Sequence, residues 1–188
     1  MTATVAPPDA VAMREAMGRF ATGVTVVTTV DADGRPAGCT ISAFCSLSLD
    51  PPLVLVCVGR GRRMHALLAA APGFAVNVLA AHQRDVATAF ARTPHDRFAG
   101  LATRPGRAGA RLLDGAVAHI ECDRETVLDG GDHAIVVGLV RAVTTFPGEP
   151  LLYARGAFLD LPGPAWDRAA AGAPPAGAPH EWLLSAPW

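Results

Sequence analysis

The chain has 188 residues, 51% of them hydrophobic and only 18% charged, with a formal net charge of −1. That length serves one domain with its own hydrophobic core, and the near-zero charge offers no basic field for nucleic acid or an anionic membrane. All 16 basic residues are arginine, which excludes Schiff-base chemistry on a lysine.

The low charged share leaves apolar surface for an oligomer interface to absorb, and a homodimer is expected. No apolar run approaches the roughly 18 residues of a membrane span, and the opening MTATVAPPDAVAMRE lacks a basic stretch leading into an apolar one. A cytoplasmic location is the expectation. Cys39, Cys45, Cys57 and Cys122 fit neither a CxxC nor a zinc-ligand spacing and are read as small core residues. The histidines are scattered singly, so no metal site is expected.

Residues 9–20 place Val11, Met13, Met17 and Phe20 near helical spacing, with Asp9 as N-cap after two prolines. The β-branched run at 23–30, the Asp/Gly turn at 31–34 and the return at 35–49 read as a hairpin. Asp50-Pro51-Pro52 is a rigid turn ahead of 53–58, LVLVCV, whose unbroken apolar character suits a strand buried on both faces. The only dense basic cluster, GRGRR at 59–63, precedes a helix over 64–71. A strand at 74–79, an amphipathic helix at 82–92 and a Pro/Gly/Arg-rich surface loop at 93–115 follow. Residues 116–144 form two long strands meeting at the turn Asp129-Gly130-Gly131-Asp132, and 151–161 adds a last strand. The domain is set at 9–161, and 162–188 is a Pro/Ala/Gly-rich tail. Hairpin-linked strands without βαβ alternation indicate a mainly β, antiparallel barrel with helices at its rim.

There is no GxGxxG, no carboxylate pair, no GxSxG and no HExxH, so any chemistry is that of a cofactor. Arg60, Arg62 and Arg63 stand at a strand end, either as a solvated basic turn or as a bidentate phosphate clamp. Thr40 and Ser42 alternate on one side of their strand, facing either solvent or the polar edge of a ligand. His133 opens a strand behind a Gly-Gly-Asp turn, where a histidine is either structural or catalytic. His119 alternates with core positions and reads as a satisfied partner within the sheet.

The ordered series FATGVTVVTT, TISAFCSLSLDPPLVLVCV, FAVNVL, DRFAG, GDHAIVVGLV and LLYARGAF resembles the flavin reductase family, the reductase components of two-component flavin monooxygenases. The resemblance covers about residues 12–160. It implies an antiparallel split β-barrel, Greek-key-like and of the FMN-binding type, with a few peripheral helices. It further implies reduction of FAD or FMN by NADH and delivery of the reduced flavin to a partner monooxygenase. Carried over position by position, the flavin site falls on Pro36, Ala37, Gly38, Cys39, Thr40, Ser42 and Ala43, and on Cys57, Val58, Gly59, Arg60, Gly61, Arg62 and Arg63. Asn77, Asp96, Arg97 and Phe98 are carried over as cofactor neighbours, and His133 as the catalytic residue beside the nicotinamide. The chain departs from the family pattern at Ala43, where many relatives carry a polar residue, and near Arg62, where they carry a serine. FAD is favoured over FMN because an open arginine cluster accommodates a longer pyrophosphate, and NADH over NADPH because no separate basic site awaits a 2′-phosphate. The alternatives are a non-catalytic flavin- or haem-binding barrel and a pyridoxamine-phosphate-oxidase-like enzyme.

Overall fold

A computed structural model of the chain describes residues 8–92 and 97–161; the expected tail at 162–188 and Asp96 lie outside them. The elements run α1 (Ala10–Gly18), β1 (Thr22–Gly23), β2 (Thr25–Val30), β3 (Pro36–Ile41), β4 (Phe44–Leu49), β5 (Pro52–Gly59), α2 (Arg63–Ala70), β6 (Gly73–Val78) and α3 (Arg84–Ala91). They continue as β7 (Thr103–Pro105), β8 (Arg111–Leu113), β9 (Ala118–Gly130), β10 (His133–Thr145), β11 (Leu152–Ala154) and β12 (Ala157–Leu159). The mainly β, antiparallel architecture is as expected.

Seven strands form one sheet in the order β3-β2-β6-β9-β10-β5-β4. Its two edge strands, β3 and β4, are consecutive in the chain and separated by Ser42 and Ala43 alone. Two residues reach only about 7 Å, so the sheet curls until its edges meet at this corner. Inward side chains from both flanks accordingly share one core: Ala37 and Ile41 of β3 pack with Val54, Val56 and Val58 of β5, and with Phe74, Val76 and Val136. β3 and β4 share no ladder among the described residues, which leaves the curled sheet split along that line. Met64 and Leu68 of α2 close one end of the core. A second cluster, with Val24, Val26, Leu79, Leu113 and Leu151, is sealed by Ala87 and Phe90 of α3.

Three expectations are corrected. The segment 35–49 is not one return strand, because it breaks at Ser42-Ala43 and sends its halves to opposite edges. The expected loop at 93–115 contains the β7–β8 hairpin, closed by a 3-10 turn at Arg107–Gly109, and Leu112 and Leu113 of β8 are buried. Residues 151–161 form the β11–β12 hairpin rather than one strand, turning at Arg155 and Gly156, both in the left-handed region (φ 52° and 81°).

The burial of β5 also differs from expectation. Val54, Val56 and Val58 are buried, but Leu55, Cys57 and Gly59 on the opposite face are only half-buried among the described residues. It is β2, with three threonines, that is buried on both faces. Their hydroxyls make this possible by donating to backbone carbonyls: Thr25 to Ile41 O (2.6 Å), Thr28 to Arg111 O (2.6 Å) and Thr29 to Gly73 O (2.9 Å).

Candidate functional site

The corner between β3 and β4 opens into a groove of about 540 Å³, within the range of small-molecule and cofactor sites. Its floor is Ser42, Ala43, Phe44 and Cys45 together with Leu55 and Cys57 of β5. The Cys57 N–H donates to Ala43 O at 2.9 Å, tying the corner to β5. One wall is α1, with Arg14, Met17, Gly18 and the following Phe20, and the other is the β11–β12 turn, Tyr153 to Gly156. The two walls are joined by the Arg155 N–H, which donates to Gly18 O at 2.7 Å.

Local sequence explains these placements. Asp9 caps α1 as expected, its carboxylate accepting from the Val11 and Ala12 amides at 3.0 and 2.8 Å. No residue of α1 is buried, so its apolar side stays open, with Met17 at 53% exposure and Phe20 beyond it at 70%. Arg14 and Arg155 form no ion pair among the described residues, and an apolar groove edged by two free guanidinium groups suits an aromatic ligand carrying negative charge.

The arginine cluster lies along the next stretch of the same β5 edge, and its members differ. Arg60 is engaged with the turn at 129–132 through Asp129 (2.6 Å) and Gly131 O (2.9 Å). Arg63 reaches Asp31 at 3.6 Å. Arg62 pairs with no acidic group among the described residues. Its charge and that of Arg97 act on Cys39, whose thiol is nonetheless pushed up to about 11 because burial outweighs both. Arg97 itself donates to the carbonyls of Gly38 and Arg92. Cys39, Arg62 and Arg97 therefore share one neighbourhood.

His133 opens β10 directly opposite Gly59. Its Nδ1 lies 2.7 Å from Asp132 Oδ1. The hydrogen bond from His133, followed by its charge, holds the Asp132 carboxyl below the usual carboxylate range. An ionised carboxylate only accepts, so Nδ1 carries the proton and Nε2 is left free on the half-exposed ring.

Other sequence-predicted positions are occupied by packing. Asn77 is fully buried: its amide N–H groups donate to Val26 O (3.0 Å) and Arg111 O (3.2 Å), and its Oδ1 accepts from Leu113 N–H (2.8 Å). The Thr40 hydroxyl donates to Ala87 O at 2.6 Å, so it faces α3 and not solvent or the groove, while Ser42 lies past the strand end, inside the groove. Ala37 and Val58 point into the core. Gly38 lets α3 approach, because a Cβ there would stand 2.8 Å from the Phe90 ring, and Phe98 meets that same ring edge-on at 5.1 Å. Pro36 lies exposed at the far end of β3, and Gly61 sits in the open turn before α2. His119 is the satisfied sheet partner expected, with Nε2 2.9 Å from Leu113 O and Nδ1 3.4 Å from Arg104.

Sequence reasoning missed the α1 wall, Phe44, Cys45 and the β11–β12 turn. Tyr153, the chain's single tyrosine, was the available signal. The reading of the cysteines as core also needs dividing: Cys122 is buried, whereas Cys45 is exposed and Cys57 half-exposed on the groove floor.

The fold and groove define a class of protein: a mainly β chain whose curled antiparallel sheet carries a groove at the corner between its two edge strands. Within that class the chain belongs to the family of the flavin reductase like domain, whose model matches residues 17–162. A probable flavin reductase of Rhizobium meliloti is 45% identical over 158 residues; the match covers 84% of this chain and half the length of that relative. The reductase subunit HsaB of a flavin-dependent monooxygenase from Mycobacterium tuberculosis is 40% identical over 151 residues, 79% of this chain and 80% of that one. Among solved structures, the Streptomyces globisporus NADH:FAD oxidoreductase SgcE6 in complex with NAD and FAD fragments superposes with a TM-score of 0.80 at 43% identity, covering 86% of this chain and 98% of that one. Among the described residues no helix is long and apolar enough to cross a membrane.

Proposed function

We propose that this protein is an NADH-dependent flavin reductase of the EC 1.5.1 type, acting on FAD in preference to FMN, and that it supplies reduced flavin to a separate flavin-dependent monooxygenase. The observation that carries this reading is the groove at the β3–β4 corner, with its apolar floor and its Arg14 and Arg155, together with the end of β5 beyond Cys57, where His133 stands opposite Gly59. Its volume and charge fit a flavin nucleotide, and SgcE6, with which the chain superposes, has been solved with NAD and FAD fragments.

A bound flavin would supply the ring that accepts a hydride equivalent from the reduced nicotinamide. The protein's contribution is positioning. Phe44, Leu55, Cys57, Met17 and Phe20 exclude water from the ring faces, and the backbone of Ser42 and Ala43 fixes the polar edge. Arg62, with Arg14 and Arg155, receives phosphate oxygens. His133 holds its proton at Nδ1 toward Asp132 and presents Nε2 to the nicotinamide carboxamide or to a proton in transit.

The working unit is a homodimer. The outer face of β4 and β5 and the free side of α1 leave Val11, Met13, Leu47 and Leu49 exposed, at 69%, 52%, 38% and 75%. So much uncovered apolar surface along one sheet edge is what a second copy would bury.

Steady-state oxidation of NADH or NADPH with FAD or FMN, followed at 340 nm in all four pairings, tests the reading. NADH with FAD should give the highest kcat/KM. Loss of the reading follows if flavin binds without nicotinamide oxidation in any pairing, which is the behaviour of a non-catalytic barrel.

A further inference from the structure

Of the three arginines in the 59–63 cluster, Arg60 alone makes a multiple connection to another element among the described residues. Its Nε donates to Gly131 O at 2.9 Å and its Nη2 to Asp129 Oδ1 at 2.6 Å. Its backbone N–H donates to Asp132 O at 3.0 Å, and Asp129 Oδ1 also accepts from the Gly131 N–H at 3.0 Å. One residue at the end of β5 thus grips three of the four residues in the turn that delivers Asp132 and His133. The ladder fixes the backbone on either side, pairing Asp129 with Ala134, Gly130 with His133, and His133 with Gly59, and it leaves Gly131 and Asp132 as the link between the strands; Gly131 is left-handed (φ 75°), and a Cβ built on it would meet nothing within 4 Å.

The side chains of Arg60 and Asp129 are 42% and 81% exposed, and pairs so open to water add little to stability. What the contact supplies is geometry. It also takes up one edge of the guanidinium fork, the Nε and Nη2 that a bidentate phosphate clamp would use. Arg62 has no such commitment.

We propose that Arg60 is a positioning residue for nicotinamide-dependent reduction: it braces the 129–132 turn so that Asp132 holds His133 with Nε2 toward the nicotinamide. This rests on the assignment of His133 to the nicotinamide. The proposal differs from a phosphate role in a way that one further residue exposes. If Arg60 is a brace, Asp129 is half of it; if Arg60 is a phosphate ligand, Asp129 only competes for it.

The experiment is a steady-state comparison of the full chain with Arg60→Ala, Arg60→Lys, Asp129→Asn, the Arg60→Ala/Asp129→Asn double variant and His133→Ala, titrating NADH and FAD separately. A melting curve on each variant confirms folding. A brace predicts that Arg60→Ala raises the NADH KM about 3- to 10-fold by loosening the histidine, with the FAD KM held within about twofold. Asp129→Asn should shift the same constant in the same direction, the double variant should be no worse than Arg60→Ala, and lysine, lacking the fork, should restore only part of the loss. A rise in the FAD KM on Arg60→Ala, with Asp129→Asn silent, overturns the proposal in favour of a phosphate contact. So does an unchanged NADH KM in Arg60→Ala when His133→Ala raises it. If His133→Ala leaves NADH kinetics unchanged, the assignment of the histidine is what fails, and the positioning role falls with it.

Discussion

β2 and β5 reverse the burial that their side chains suggest. β2 carries three threonines and is buried on both faces; β5, reading PLVLVCVG, is buried on one face only. In β2 each threonine hydroxyl donates to a backbone carbonyl, so the polar atoms are fully used inside the protein. In β5 the second apolar face is only half-covered among the described residues. The comparison teaches that a half-covered apolar strand face is where a ligand or partner is to be sought, whereas buried polar side chains here are structural.

The largest expected effect tests the structural side. Asn77→Ala removes three hydrogen bonds next to β2, two of them buried, and leaves backbone groups unpaired, which should cost about 3 kcal/mol or more in chemical denaturation. If instead Asn77→Ala left stability intact and abolished flavin binding, the division between the two strands would break.

On the β5 side the pattern should invert. Cys57→Phe fills the groove floor and should raise the flavin KM about tenfold or more, while the melting temperature stays within about 3 °C, because the added ring lies on a half-open face.

Leu49→Glu sharpens the same contrast at the edge of the sheet. It places charge on a side chain that is 75% exposed, so the fold should tolerate it while light scattering shows a shift from dimer to monomer. A dimer that persists would show that the second copy does not sit on this edge.

The last prediction needs no substitution at neutral pH and concerns the thiols. Burial pushes Cys39 up to about 11 and Cys122, also raised by Asp123 and Glu121, up to about 12, from an ordinary value of 9.0. In the unfolded chain both ionise near pH 9 while the folded protein keeps its protons, so stability is complete below pH 9 and is lost as pH rises toward 11 and 12. Melting curves from pH 8 to 11 should show this decline, and Cys122→Ala should flatten it.

Much of this molecule was legible in its sequence. The β-branched run of β2, the Asp-Gly-Gly-Asp turn between β9 and β10 and the cap on α1 are local features whose signals lie within a few residues, and each appears where it was expected. The candidate site was legible in part. Ser42, Ala43 and Cys57 come to the groove, and His133 pairs with Gly59, two positions beyond Cys57 on β5, but Asn77, Thr40 and Ala37 carry structural contacts that only their distant partners reveal. Asn77 is the chain's sole asparagine, and nothing in its neighbours announces that Arg111 and Leu113 close around it.

Sequence by itself determined the class of fold and the kind of chemistry, because alternation, turn residues and the missing catalytic motifs are all readable along the chain. Tertiary structure alone decided that β3 and β4 part at Ser42-Ala43 and meet again as the two edges of one sheet, making a groove with α1 and the β11–β12 turn. It also decided that Arg60 holds the 129–132 turn while Arg62 pairs with no acidic group among the described residues. The physical reason is that charge and hydrogen-bonding capacity are properties of a residue, while whether that capacity is already used depends on partners some 70 positions away, as Asp129 and Gly131 are from Arg60.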